Sequence, residues 1–127
     1  MDHAHEIEQA IGAHGMWKAR LRQAIDTGKF DTPVATVSTD NQCAFGKWLY
    51  GPTVTAQDKT SAKYKTVQTL HAAFHKVAAR VAELAVAGKK AEADKLMAQG
   101  GEFASASLKL TAAMIEWKKT FTPAAVR

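Results

Sequence analysis

Apolar residues recur every three or four positions through most of this 127-residue chain, and proline stands only at 33, 52 and 123. Long proline-free stretches with that period fold as amphipathic helices, whose apolar stripes must be covered by other helices. Ile7, Ile11, His14, Trp17, Leu21 and Ile25 share one face of a helix predicted over residues 3–27, which Thr27-Gly28 ends. From Phe30 to Asn41 no period holds, and the segment reads as a connecting loop with an extended piece at Val34–Val37. Ser38, Thr39 and Asp40 are each suitable N-caps for a short helix from about Asn41 to Tyr50, closed by Gly51-Pro52.

A long helix is predicted from Asp58 or Thr60 to Ala87, with Val67, Leu70, His71, Phe74, Val77 or Ala78, Val81 and Leu84 inward and Gly88 at C′. The last stretch, Lys89 to Phe121, is interrupted by Gly100-Gly101 and reads as two helices or one kinked helix. Phe103, Leu110, Met114, Trp117 and Phe121 continue the stripe, and Thr122-Pro123 stops it. The expected fold is all-α: a single domain over residues 1–127, an antiparallel helical bundle of four-helix type with one short crossover helix.

Several function classes are excluded by composition and charge. The N-terminus is acidic and lacks the apolar core of a secretory signal, and no apolar run approaches the roughly 20 residues that span a bilayer. The net charge of +5 comes from scattered single or paired cations mixed with acids, not from a basic stripe, which argues against a nucleic-acid partner. Cys43 is the one cysteine, so it is a core thiol, a reactive thiol or a metal ligand. All three suit a reducing cytoplasm, the expected location.

Four residues carry metal chemistry. His71 and His75 lie four apart, so both imidazoles stack on one helical face and reach a common point. The pair has the spacing of H-E-x-x-H, but Ala72 follows His71 where that motif places its general base. Alone, the pair also fits one core and one exposed histidine. His14 sits mid-face on the first helix, where an imidazole must be hydrogen-bonded or coordinated. Cys43 stands at the start of the short helix, where free N–H groups favour the thiolate; a small buried hydrophobe is the other reading. Together the four supply three nitrogens and one sulfur from three segments, a donor set that suits tetrahedral zinc. His3 and His5, in the frayed first turn, read as exposed.

The motifs His14-Gly-Met-Trp17, Cys43-Ala-Phe45-Gly46-Lys-Trp48 and His71-Ala-Ala-Phe-His75 resemble, in order, those of the chemoreceptor zinc-binding domain family. The resemblance implies a helical bundle holding Zn²⁺ through His14, Cys43, His71 and His75, commonly as a homodimer. It further implies a regulator of a bacterial signalling output, either a methyl-accepting chemotaxis domain or a diguanylate cyclase making cyclic-di-GMP. Some members sense hypochlorous acid through the zinc-bound cysteine. The domain is expected to fill the chain with no output domain, so it acts on a partner in trans or is a fragment of something longer. A non-enzymatic sensor is the leading expectation. A zinc-thiolate oxidant sensor is its variant, and a three-histidine zinc hydrolase with water in place of Cys43 is the rival from another class.

Overall fold

The computed structural model describes residues 3–30, 32–39, 41 and 43–121, and every regular element among them is helical. In chain order these are α1 (His3–Thr27), α2 (Val34–Val37), α3 (Ala44–Tyr50), a 3-10 turn (Asp58–Thr60), α4 (Ala62–Val86), α5 (Lys90–Met97) and α6 (Glu102–Lys119). None of these helices is long and apolar enough to cross a membrane.

Local signals account for most boundaries. Ser61 caps α4 by accepting a hydrogen bond from the Tyr64 amide. At the other end Gly88 adopts φ +80°, and the Lys89 amide donates back to Leu84 while that of Gly88 donates to Ala85. That paired closure is a Schellman motif, and it needs a residue free to take left-handed backbone angles. The glycine pair splits the last stretch into two helices. Gly100 has φ +84°, and a Cβ on Gly101 would lie 2.4 Å from the Lys95 carbonyl oxygen.

The three longest helices meet along their apolar stripes. α6 runs antiparallel to α1 and α4: Lys118 pairs with Glu8, Trp117 packs against Tyr64, and Phe103 against Phe74. α1 and α4 run in the same direction, because the connection through α2 and α3 returns the chain to the end where α1 began. His3 accordingly meets Asp58, just ahead of α4, and His14 meets His71. Ile7, Leu21, Leu49, Val67, Phe74, Leu110, Met114 and Trp117 fill the core, each fully buried aliphatic contributing about 1.5–3 kcal/mol. α3 docks through Leu49 and Phe45, and the Tyr64 hydroxyl donates to the Leu49 carbonyl at 3.0 Å.

Three local expectations are corrected. Val34–Val37 is a helical turn, not an extended piece: Pro33 presets its start, and buried Val37 docks it on α4. The short helix begins at Ala44, and its cap is Cys43 itself. Ser38 and Thr39 instead close α2, their hydroxyls donating to the carbonyls of Ala35 and Thr36; Asp40 lies outside the described residues, as does the Thr122-Pro123 stop. Finally, His3 is not exposed. Its ring is partly buried, 3.1 Å from Asp58 and packed on Trp48 and Phe121, because the α1 N-terminus docks where α3 and α6 end. His5 is exposed as expected.

Candidate metal centre

Three helices bring the four candidate residues to one place. On α1, spacing of four puts Ala10 directly below His14, and His14 Nδ1 lies 2.8 Å from the Ala10 carbonyl. A carbonyl only accepts, so Nδ1 holds the proton and Nε2 keeps its lone pair. That Nε2 is buried and has no hydrogen-bond partner among the described residues. His75 is fixed in the same way: its Nδ1 donates to the Val37 carbonyl at 3.0 Å, which leaves Nε2 as the acceptor. A backbone carbonyl behind the ring is the usual device that orients a metal-binding histidine.

On α4, the Nε2 atoms of His71 and His75 stand 3.0 Å apart. Two lone pairs do not face each other at that distance, so a proton on His71 Nε2 or a cation must lie between them. Cys43 Sγ lies 3.5 Å from both nitrogens and accepts a hydrogen bond from the Gly46 amide at 3.3 Å. One nitrogen from each of His14, His71 and His75 falls within 4.8 Å of the others.

These separations test the donor set against zinc. With Zn–N near 2.0–2.1 Å and Zn–S near 2.3 Å, a tetrahedral site separates nitrogen from nitrogen by about 3.3 Å and nitrogen from sulfur by about 3.5 Å. The two 3.5 Å distances match that pattern and the 3.0 Å distance falls slightly short of it, and the orphaned His14 Nε2 is the remaining candidate donor. The residues fit the ion.

Electrostatics prepares the nitrogens for a cation. Burial pushes His14 down to about 4, with the Ala10 hydrogen bond pulling the other way and His75 adding to the depression. Burial likewise pushes His71 down to about 3, helped by His75 and His14. Both rings are neutral at pH 7, the form that binds metal.

The surrounding rings hold this cluster in place. Phe45 sits edge-on to His71 at 5.1 Å and to His14 at 6.0 Å, and Trp17 edge-on to His75 at 5.8 Å. Gly46 is buried, as its place between two packed aromatics on α3 requires. Trp17 is braced in turn by the Arg20 guanidinium, 4.3 Å from its ring centre. Sequence reasoning named the four candidate donors but neither of the two carbonyls behind His14 and His75. The Ala10 acceptor was legible, since a helical side chain reaches the carbonyl four residues back. The Val37 acceptor was not, because it comes from a segment read as a loop.

The chemoreceptor zinc-binding domain model matches residues 14–82, a span that starts at the first of the four candidate donors and contains the other three. No curated protein and no solved structure matches the chain.

Proposed function

Given that the chain belongs to the chemoreceptor zinc-binding domain family, we propose that His14, Cys43, His71 and His75 hold one zinc ion in a domain that regulates a bacterial signalling output and is not an enzyme. The observation that carries this reading is the convergence of Cys43 Sγ on the two α4 imidazoles at 3.5 Å each. A fourth protein donor there closes the site, whereas a hydrolase needs that position for water.

When bound, the ion supplies charge that ties α1, α3 and α4 together through their side chains. The four donors are not equally committed. His71 and His75 sit on a 25-residue helix and are 0% and 2% exposed. Cys43 is only partly buried and leads a helix of seven residues. α3 is therefore the element whose position responds to zinc occupancy, and its displacement changes the surface shown to a partner. Cys43 is also the one redox-active donor. A two-electron oxidant such as hypochlorous acid or peroxide would convert its thiolate to sulfenic acid and release α3, which makes oxidant sensing the second reading.

The output is a chemotaxis signalling domain or a diguanylate cyclase, in cis or in trans, in the cytoplasm. Self-association as a homodimer is part of the proposal, supported by Met16 on α1 and Leu108 and Ile115 on α6, which stand 62%, 72% and 42% exposed on neighbouring helices. Elemental analysis of protein purified without a metal-affinity tag is expected to give one zinc per chain. X-ray absorption is expected to give three nitrogen neighbours and one sulfur. A shell of nitrogen and oxygen alone would overturn the closed site and revive the hydrolase.

A further inference from the structure

The donors differ in how they are reached from solvent. His14, His71 and His75 are 4%, 0% and 2% exposed, and only Cys43 is partly open. Two of the cavities touch the cluster at His14. One, of about 390 Å³, is lined by Lys18, Met97 and Phe103 and does not reach Cys43. The other, of about 160 Å³, is lined by Glu6, Gln9, His14, Trp17, Cys43 and Phe45. Glu6 is the one charged residue in its wall among the described residues. The second cavity therefore joins a carboxylate to the half-open sulfur and to the ring carrying the orphaned His14 Nε2.

We infer that this second cavity is the path by which a divalent metal cation reaches the site, with Glu6 as the residue that stages it. This rests on the zinc reading above. The chain carries a net charge of +5, so its overall field repels a dication, and an approach path needs local negative charge. Lys18 disfavours the first cavity for the same reason. Glu6, Ala10 and His14 follow one another at intervals of four and share a face of α1, but Glu6 and His14 are two turns, about 12 Å of helix rise, apart. The Glu6 carboxylate is therefore a station before the site and not a fifth ligand beside His14. Glu6 makes no ion pair or hydrogen bond among the described residues, while Glu8, two residues on and facing another side of α1, is paired with Lys118. A carboxylate that exchanges its water freely can take up a hydrated ion and pass it inward. Cys43 is the first ligand the ion meets, and His14 lies behind it.

The test is stopped-flow uptake of zinc by the full chain after chelation, comparing wild type with Glu6→Gln and the charge-matched Glu8→Gln. Coulomb attraction between −1 and +2 across about 8–10 Å of water predicts a three- to fivefold slower association for Glu6→Gln at about 10 mM salt, lost at about 1 M. Glu8→Gln is expected to keep the wild-type rate. Because a staging residue acts on both directions of passage, dissociation slows in step and the equilibrium affinity of Glu6→Gln stays within about twofold. Equal rates for the two variants, with zinc still bound, would overturn the path and leave the metal site standing. A loss of affinity larger than the loss of rate would make Glu6 a ligand and overturn its staging role. Wild-type protein that takes up no zinc would overturn the site itself, and this inference with it.

Discussion

Acid should unfold the metal-free protein through its buried histidines before its carboxylates titrate. His14 and His71 enter the fold neutral, their ring pKa values depressed from 6.5 to about 4 and about 3. In the unfolded chain the same rings protonate near 6.5. A group with a depressed folded pKa takes up its proton preferentially in the unfolded state. Its contribution is therefore fully present above pH 6.5 and is lost as pH falls through that value toward the folded pKa. Between pH 7 and pH 5 each ring costs about 2 kcal/mol, working from 1.36 kcal/mol per pH unit. Part of each depression arises from the neighbouring histidines, so the pair together costs about 3–4 kcal/mol, not the full sum. Against a typical stability of about 5–15 kcal/mol this is a large fraction.

Urea unfolding in the presence of a chelator, at half-unit steps from pH 7 to pH 5, measures the effect directly. Stopping at pH 5 keeps the exposed carboxylates, whose ordinary pKa values are near 4, out of the transition. His14→Leu, which fills the same buried position without a titratable nitrogen, should remove about half of the slope. A midpoint that stays flat across this window would show that the rings are solvated or already charged in the native state. An unchanged slope in His14→Leu would refute the assignment to this cluster.

Cys43→Ala is expected to weaken zinc binding less than His71→Ala and to remove any response to oxidants, as measured by competition with a chelator before and after peroxide; a larger loss for Cys43→Ala would make the sulfur the dominant anchor. Stripping the metal at pH 7 should leave most of the helicity in far-UV circular dichroism, because the apolar core of α1, α4 and α6 does not depend on the ion; collapse of the 222 nm signal would contradict this. Tyr64→Phe removes the hydroxyl that donates to the Leu49 carbonyl and should cost about 1–2 kcal/mol in chemical unfolding; no change would mean that water replaces the bond.

The local code was fully legible where one element decides its own form. The period of apolar residues gave α1 from His3 to Thr27, and Gly88 and the Gly100-Gly101 pair marked turns that only glycine geometry permits. The candidate donors were legible for a related reason: His71 and His75 share a face by spacing alone, and His14 interrupts an apolar stripe where an imidazole has no reason to be unless something satisfies it.

Tertiary structure decided whatever depends on a partner distant in sequence. Residues 34–37 contain two valines and a threonine, side chains that favour extended backbone, yet docking of Val37 on α4 makes them a helical turn and aims its carbonyl at His75, 38 positions away. His3 looked like a frayed terminal residue, and became part of a packed cluster only because the long connection through α2 and α3 lets α1 and α4 run in parallel. Cys43 was visible as a candidate donor, but that it also caps α3 through the Gly46 amide depended on where that helix starts. Helical period and glycine backbone freedom are properties of a few consecutive residues and survive in the sequence. The distances between Cys43, His14 and the α4 histidines are set by how three apolar stripes bury one another, and no local pattern encodes that.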